Sequence, residues 1–428
     1  MSPLGIQVTV ADNVVVTQRG SSRGWAATHY RGSDGKLLDG RARVVTILAP
    51  SPPKAKDYAL NELPVQALRP LTGVVAIAGP CALIDDGTVW CWGKQRQRSG
   101  RLEKDTVYVP YALQVPGIAD AVELHFGASQ SCVVLRDHTV RCWGISGNGG
   151  LGNPAATKRI SQPIEPQDLG QVDGLSMGYL ATCAVLPSRD IKCWGRYGHG
   201  ALGKRAVGDD ATVPESFDGV SNVRLLSLGE SHACYSDSDS SVACWGLNVG
   251  QALGQPGAHL GEYYPPDAPI TFDEKVLQLS ALHAGSCALL DTGRVQCWGA
   301  ARNGFFGSAE PSSGYVTTPL ELPLEFVREL MPGLTCALQA ASKTATKTHV
   351  VCWGDGFSEQ PDFEPAVLSE FGDAIDFEVA NNSRCALSPK GTVSCYGAIM
   401  ASPGDGFILN YSHAKPAPLY AGDPALLE

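Results

Sequence analysis

The residues of this chain whose type and spacing could do chemistry are fourteen cysteines, which fall into seven pairs. Facing cysteines can form a disulfide, two such pairs can hold a zinc ion, and reduced thiols can pack in a core. Each second cysteine is followed by an aromatic residue and a glycine. The pairs in chain order are Cys81 with Cys91, Cys132 with Cys142, Cys183 with Cys193, Cys234 with Cys244, Cys287 with Cys297, Cys336 with Cys352, and Cys385 with Cys395.

The sequence inside the first pair predicts a β-hairpin. Two β-prone runs flank Asp85-Asp86-Gly87, and a three-residue loop that ends in glycine favours a type I turn followed by a left-handed residue. If Ile84 pairs with Thr88, Cys81 stands opposite Cys91 at a non-hydrogen-bonded site, where Cα atoms lie ~4.5 Å apart. That separation suits a disulfide. We therefore predict one cross-strand disulfide in each hairpin, worth roughly 2.5 kcal/mol of stability.

Zinc and reduced thiols are the alternatives for these pairs. Zinc sites usually have short ligand spacings, whereas nine residues separate the cysteines of six pairs, so we predict no metal site. Buried reduced thiols stay open. Disulfides would indicate an oxidising compartment, either the cell envelope or the extracellular space. The first eight residues have neither the basic segment nor the apolar core of a signal peptide, so a cytoplasmic location also stays open.

The cysteine phrase recurs with a nearly constant period. The second cysteines are 51, 51, 51, 53, 55 and 43 residues apart. Period-two patterning places apolar residues beside the cysteines on one face of each hairpin and the following tryptophan or tyrosine on the other. Sheets that are apolar on both faces must be covered on both, as when blades stack around a ring. We therefore predict an all-β, seven-bladed β-propeller, with four-stranded blades of about 52 residues.

The phrase resembles the regulator of chromosome condensation repeat in its cysteine-bearing bacterial form. The fourth copy matches over Gly229-Glu230-Ser231-His232-Ala233-Cys234 and Cys244-Trp245-Gly246-Leu247-Asn248, running on to Leu253-Gly254. The resemblance covers roughly residues 64–428 and implies a seven-bladed propeller. In the family the histidine looks structural, so we expect a packing or hydrogen-bonding role for His232. The family's eukaryotic founder is an exchange factor for a small GTPase and binds chromatin, but nothing here matches its exchange surface.

Residues 1–53 contain no copy of the phrase, so we expect an N-terminal β-rich extension or cap before a propeller over 54–428. Gly5–Val10, Asn13–Thr17 and Arg43–Leu48 read as strands, and Ala49–Pro53 reads as a linker. Ring closure is expected between Pro64–Ala67 and Pro416–Leu419, which would remove free sheet edges.

Composition excludes several classes of function. The chain has 33 Lys+Arg against 43 Asp+Glu, a net charge of −10, which makes nucleic acid a poor partner. It has no run of 18 apolar residues, so no membrane span is expected. The motifs of serine hydrolases, zinc proteases and nucleotide-binding loops are absent. We therefore predict no catalytic, cofactor-binding or metal-binding residues and no cofactor.

The loops after the tryptophan strands are the predicted functional surface, because loops on a rigid scaffold tolerate change and carry recognition. A basic run in blade one and an acidic run in blade six predict a polarised face that steers a charged protein partner. The plainer alternative is that both are solvated surface loops. The candidate partner-binding residues are Lys94, Arg96, Arg98, Arg101 and Lys104, and Asp355, Glu359, Asp362 and Glu364. The candidate aromatic anchors are Tyr108, Tyr111, Tyr263, Tyr264, Phe305, Phe306 and Phe357.

These observations favour a non-catalytic protein-interaction scaffold, built as a monomeric ring, whose protein partner the sequence does not identify. Two alternatives stay open. One is a secreted enzyme inhibitor, because propeller-type β-lactamase inhibitor proteins look like this repeat family. The other is an enzyme or a carbohydrate-binding propeller with a site in the central channel. Carboxylates or histidines at one mouth of the channel would favour that second alternative, and an apolar or glycine-lined channel would weaken it.

Overall fold

The computed structural model describes most of the repeat region and short parts of the remainder. The described residues are 6–10, 14–18, 31–32, 69–96, 106–127, 130–146, 149–156, 160–196, 202, 210–302, 304–307, 314–354, 364–380, 383–398, 410–411, 417–418 and 420–421.

Seven small antiparallel sheets stand around a common axis, one for each copy of the cysteine phrase. The first strand of each sheet lies innermost, since the first strands of successive blades contact one another from blade one to blade six. The first strand of blade seven also contacts that of blade one, which closes the ring. The helical turns that the structure describes in full are two short 3-10 turns, Val249–Gln251 and Ser369–Phe371. The prediction of an all-β, seven-bladed propeller is confirmed.

Each blade has four strands, counted outward from the axis. The inner strands are Val74–Ala78, Ala121–Phe126, Gly174–Met177, Leu225–Leu228, Val276–Ala281, Val327–Leu330 and Asp376–Ala380. The second strands are Cys81–Ile84, Gln130–Leu135, Ala181–Val185, His232–Ser236, Gly285–Leu290, Cys336–Ala340 and Ser383–Leu387. The third strands are Val89–Arg96, Val140–Gly144, Ile191–Gly195, Ser241–Leu247, Val295–Ala300, Thr348–Cys352 and Val393–Ala398. The outer strands are Thr106–Gln114, Ile160–Ile164, Ala211–Ser216, Tyr263–Tyr264 with Ile270–Thr271, Tyr315–Glu321, Ala366–Val367, and Asn410–Tyr411 with Ala417–Pro418.

The hairpin between the second and third strands forms as predicted from the first cysteine phrase. Ile84 N donates to Thr88 O at 2.9 Å, and Gly87 N donates to Ile84 O at 2.9 Å. Gly87 has a φ of +82°, the left-handed conformation that ends this loop. Cys81 consequently pairs directly with Cys91.

The core lies in the interfaces between neighbouring blades, which we call seams. In blades one to six, the tryptophan that follows the second cysteine packs on the cysteine face of the preceding blade. For example, Trp298 of blade five packs against Cys234 and Cys244 of blade four. Both faces of a blade are therefore covered, as the period-two pattern predicts. The side chain of Tyr396, which holds this place in blade seven, lies outside the described residues.

The glycine-rich turn after the third strand receives the tryptophan of the next blade. The indole N–H donates to a carbonyl in that turn, from Trp194 to Gly150 at 3.3 Å, from Trp298 to Ala252 at 2.9 Å, and from Trp353 to Phe305 at 2.9 Å. Gly254 ends one such turn with a φ of +63°, and a Cβ there would lie 2.8 Å from the Trp298 ring. The G-x-L-G sequence thus provides the space that the next blade's indole needs.

The two ends of the repeat region meet beside blade one. Tyr420–Ala421 pairs antiparallel with Arg69–Pro70 and parallel with the outer strand of blade one. Ala417–Pro418 instead pairs with the third strand of blade seven. The segment Pro64–Ala67, which we expected to take part in closure, lies outside the described residues.

A separate three-stranded sheet precedes the propeller. Ile6–Val10 pairs with Val14–Gln18, which also pairs with Arg31–Gly32. The first two strands overlap those predicted from the sequence. The predicted strand Arg43–Leu48 and the linker Ala49–Pro53 lie outside the described residues, so a domain boundary after residue 53 stays a prediction.

Candidate functional site

All fourteen cysteines form disulfides, and every pairing is the one predicted. The seven Cα–Cα distances are 4.0 or 4.1 Å, slightly shorter than the ~4.5 Å expected for a non-hydrogen-bonded pair. Each bridge joins the second and third strands of one blade near its middle. The disulfides therefore make each blade internally rigid and leave blade-to-blade cohesion to the seams.

His232 occupies the seam between blades four and five. It is fully buried, and its Nε2 lies 2.8 Å from Ser286 Oγ of the next blade. Burial lowers its pKa to about 4, with a smaller contribution from His283. A neutral imidazole that bonds across a seam agrees with the packing or hydrogen-bonding role expected for His232.

The two charged runs fall in the same kind of connection. Both lie between the third and outer strands of their blade, and these connections open at one end of the ring. In blade one the third strand extends through Arg96, so Lys94 and Arg96 belong to a strand rather than to a loop. Glu364 is described and exposed. The other members, Arg98, Arg101, Lys104, Asp355, Glu359 and Asp362, lie outside the described residues.

The aromatic anchors predicted in blade five need a correction. Phe306 is fully buried, and the carbonyl of Phe305 accepts the indole N–H of Trp353. The two phenylalanines belong to a closing turn that receives the tryptophan of blade six, so their role is in the seam. Tyr263 and Tyr264 are half-buried in the outer strand of blade four. The side chains of Tyr108 and Tyr111, and all of Phe357, lie outside the described residues.

The inner strands place two residues per blade at matching levels along the channel. On each inner strand, level A is the residue that pairs with the second-strand residue two positions after the first cysteine. Level B is the inner-strand residue that pairs with that cysteine itself. Level A holds, in blade order, Ala76, Glu123, Gly174, Leu225, Gln278, Glu329 and Asp376. Level B holds Ala78, His125, Ser176, Ser227, Ser280, Met331 and Glu378. Both levels face the next blade, because they share the cysteine face.

In blades three to five these levels bind the next inner strand with neutral groups. Ser176 Oγ accepts Leu228 N–H at 2.9 Å, and Ser227 Oγ accepts Ala281 N–H at 2.9 Å. Gln278 makes two bonds, accepting Leu330 N–H at 2.7 Å and donating to Leu330 O at 2.8 Å. In each of these seams, side chains therefore hydrogen-bond backbone groups that would otherwise lack a partner.

At the seam between blades seven and one, carboxylates take over the same function. Asp376 Oδ2 accepts Ile77 N–H at 2.8 Å, at the level where Gln278 bonds Leu330. Glu378 accepts the backbone N–H of Gly79, at the level of the seam serines. Glu329 stands at level A of blade six, and the charge of Asp376, at level A of blade seven, acts on it. We call Glu329, Asp376 and Glu378 the acidic cluster.

All three carboxyl groups of the acidic cluster have raised pKa values. Burial raises the pKa of Glu378 to about 7 and that of Asp376 to about 6, although both groups accept backbone N–H groups that oppose the shift. Burial and the charge of Asp376 together raise the pKa of Glu329 to about 7. The Glu329 side chain is nonetheless exposed to water in the channel. The protein that surrounds the channel still disfavours its charged form. The cluster therefore takes up protons as the pH falls through 7 towards 6.

Sequence reasoning missed the acidic cluster, because its members come from two repeats and carry no motif. The signal that could have found part of it is the distance to the first cysteine. Counting back seven residues reaches His125, Ser176, Ser227, Ser280 and Glu378, so a carboxylate stands out among small polar residues. Within the described residues, no group of three or more His, Cys, Asp or Glu side chains could hold a metal ion. Nor does any helix in the part of the chain described here have the length and apolarity needed to span a membrane.

Comparison with known proteins places this chain beside RCC1-domain proteins. It is 25% identical over 245 residues to the RCC1 domain-containing protein RUG3, mitochondrial, of Arabidopsis thaliana, covering 55% of each chain. It is 25% identical over 233 residues to the ultraviolet-B receptor UVR8 of the same plant, covering 54% of this chain and 52% of the receptor. The chain thus spans about half the length of these curated relatives. No protein-family model matches it.

Solved structures show the same fold. Human WBSCR16 superposes with a TM-score of 0.58 at 17% identity, covering 78% of this chain and 94% of that one. Yeast RCC1, Prp20, in its complex with Kap60, superposes with a TM-score of 0.59 at 16% identity, covering 91% and 92%. The resemblance to the regulator of chromosome condensation repeat is confirmed, and its bacterial form is a point that these relatives do not test.

Proposed function

We propose that this chain, an RCC1-repeat propeller like the relatives above, is a non-catalytic protein-interaction scaffold that presents a loop-built face to a protein partner. One observation carries the proposal: the third strands of blades one and six, which the basic run and the acidic run follow in the sequence, end at the same end of the ring, two blades apart. A face with separated charges of opposite sign orients a charged partner during encounter.

The relatives support protein binding in general rather than a particular partner. One solved structure reports the binding of Prp20 to Gsp1p and histones, and another shows yeast RCC1 bound to Kap60. Another relative is a guanine nucleotide exchange factor of yeast, SRM1. Because one fold hosts many functions, exchange activity is not carried over to this chain.

Charge reversal on the loop face tests the proposal. The variant Arg96→Glu, Arg98→Glu, Arg101→Glu should lower capture of the native protein partner from an extract of the source cells at least tenfold, at an unchanged melting temperature. A matched control is Arg136→Glu, Lys343→Glu, Lys390→Glu, which reverses three exposed residues near the turns between second and third strands, at the other end of the ring. Equal capture by both variants would contradict the proposal.

The central-channel alternative gains one observation, the acidic cluster. An enzyme or a carbohydrate-binding propeller would use these carboxyl groups on a ligand that enters the channel. Replacing them together, as Glu329→Gln, Asp376→Asn, Glu378→Gln, should then abolish binding on a glycan array. Retention of every glycan signal, or the lack of any, would count against this alternative.

We also propose that the protein functions in an oxidising compartment. The seven cysteine pairs at disulfide distance support this, since such bridges persist outside reducing compartments. Alkylation and intact mass of unreduced protein from its native host should find all fourteen cysteines protected. Fourteen reactive thiols would move the protein and its partner search into the cytoplasm.

A further inference from the structure

At one end of the channel, seven residues occupy equivalent positions near the start of the inner strands. In blades one, two, five and six this residue is the second of the strand and forms a β-bulge, and in blades three, four and seven it directly precedes the strand. We call this set the rim, and its members in blade order are Val75, Val122, Asp173, Arg224, Leu277, Arg328 and Ile375. The rim lies at the start of the inner strands, whereas the charged loops follow the third strands, so the two surfaces are at opposite ends of the ring.

The charged members of the rim are engaged within the ring. Asp173 lies 3.7 Å from Arg189, and Arg224 lies 3.4 Å from Asp239. Arg224 also donates to the carbonyl of Val276 at 2.7 Å. The Arg328 guanidinium donates to three carbonyls in the turn between the second and third strands of its own blade. These side chains are directed to neighbouring loops and leave the mouth itself to the other members.

Three of the four apolar members of the rim are grouped and open to solvent, whereas the fourth, Leu277, is exposed alone on blade five. Ile375, Val75 and Val122 belong to the consecutive blades seven, one and two, whose inner strands touch. They are 43%, 51% and 44% exposed. A single exposed apolar residue needs no explanation, but three at one structural position on adjacent blades form a patch of the kind that marks an interaction site.

Negative charge lies directly behind this patch. Asp376 follows Ile375 in the chain, Glu123 follows Val122, and the rest of the acidic cluster lies farther along the inner strands of blades six and seven. Within the described inner strands and the rim, the lysine and arginine residues are Arg224 and Arg328, and both guanidinium groups are hydrogen-bonded to carbonyls within the ring. An occupant of the mouth therefore meets apolar side chains at the rim and carboxylates inside.

We infer that this mouth binds a protein segment that inserts a lysine or arginine side chain into the channel while its flanking apolar residues cover Ile375, Val75 and Val122. A free cation would neutralise the carboxylates but would leave the rim uncovered, and a purely apolar segment would bury the carboxylates without a counter-charge. A basic residue between apolar neighbours satisfies both features. The inference goes beyond the loop face, because it names a second surface and the chemistry of what it takes.

A phage-displayed random dodecapeptide library, selected on the disulfide-intact full chain, tests this inference. Selection uses counter-selection on the rim variant Val75→Ser, Val122→Ser, Ile375→Ser, whose exposed positions should leave folding intact. We expect the recovered peptides to share a lysine or arginine flanked by apolar residues. Their affinity should fall at least tenfold in the rim variant and in Glu329→Gln, and should fall as salt rises.

The control and the opposing outcomes are defined by the same selection. Val367→Ser changes a residue as exposed as the rim valines on the outer strand of blade six, and should leave affinity unchanged. Recovery of no rim-dependent peptide, of rim-dependent peptides without a basic residue, or of peptides indifferent to Glu329→Gln would overturn the inference. Competition by spermine alone, with no dependence on the rim, would assign the channel to free cations instead. Because the loop-face variant retains the rim, failure here and failure of the proposed scaffold function are separate results.

Discussion

The two sides of the ring solve the same packing problem with different chemistry. Between blades three and six the inner strands are joined by serine hydroxyls and a glutamine amide, whereas between blades seven and one they are joined by two carboxylates. The backbone N–H groups that donate to these side chains lie at equivalent register positions. The neutral groups show that the seam needs an acceptor but not a charge.

We call the seams between blades three and six the neutral side, and the seam between blades seven and one, with Glu329 beside it, the acidic side. Ionising the carboxyl groups of the acidic side costs free energy that the neutral side does not lose. Burial disfavours an ionised carboxyl, and the raised pKa values of Asp376, Glu378 and Glu329 record that cost. Since serine and glutamine perform the same structural task elsewhere in this ring, stability does not account for the carboxylates. The position of these carboxylates at one mouth of the channel is therefore the physical reason to look for a ligand there.

Backbone closeness is the second difference between the two sides. On the neutral side Gly178 faces Gly229, and a Cβ on Gly178 would lie 2.2 Å from the Gly229 carbonyl oxygen. The corresponding register position in blade seven is Ala380, which pairs with Ser383. The neutral side therefore closes by direct contact between glycine backbones, at a level where blade seven has an alanine in place of glycine.

The largest expected effect follows from that contact. Gly178→Ala should destabilise the fold by about 3 kcal/mol, because the new methyl group must push two inner strands apart. Gly174→Ala, four residues earlier, is the matched control, since a Cβ there meets nothing within 4 Å. Guanidinium unfolding of both variants measures the difference. Equal losses would mean that backbone contact does not distinguish the neutral side.

A charge placed in a neutral seam should reproduce the burden of the acidic side. Gln278→Glu keeps an acceptor for Leu330 N–H but removes the donor to Leu330 O, now at 2.8 Å. We expect a loss of about 2 kcal/mol at pH 8, most of which is regained near pH 5 as the carboxyl group takes up a proton and donates again. A loss that does not change with pH would show that shape rather than charge separates the two seams.

Removing a charge from the acidic side should do the opposite. The pKa of Glu329 is about 7 in the fold against 4.5 ordinarily, so between these values the folded state binds more protons than the unfolded state. Stability must then fall as pH rises through this window. Glu329→Gln should be more stable than the natural chain by about 1 kcal/mol at pH 8, after allowance for solvent screening, and equal to it at pH 4.5.

The difference between the two chains is the quantity to measure, because His232 works in the other direction. Its pKa of about 4 lies below the ordinary 6.5, so its contribution to stability is lost as pH falls from 6.5 towards 4. Both chains carry His232, and subtraction cancels it. A stability difference that stays constant from pH 4.5 to 8 would contradict the raised pKa of Glu329.

The sequence was sufficient for the fold and for the disulfides, and the reason is repetition. The turn at Asp85-Asp86-Gly87 and the facing cysteines are local features, and seven copies of them fix one architecture. The acidic cluster depends on register instead. Counting back from the first cysteine reaches Glu378 correctly, but level B of blade six is Met331, only five residues before Cys336, because that blade has a shorter turn. Sequence spacing alone therefore could not align Glu329 with Asp376.

The tryptophan contacts should be the same on both sides of the ring, and this sets the limit of the comparison. Trp298 donates to Ala252 and Trp353 to Phe305, both at 2.9 Å, although only Trp353 belongs to the acidic side. Trp298→Phe and Trp353→Phe should each lose about 1 kcal/mol for the hydrogen bond and a further amount for the cavity that the smaller ring leaves. The two losses should agree within about 0.5 kcal/mol in guanidinium unfolding, because the turns that receive the indoles lie away from the carboxylates. A clearly larger loss for Trp353→Phe would mean that the cost of burying the carboxylates affects the stability of whole blades. The carboxylates would then be part of what determines the fold rather than a separate site on it.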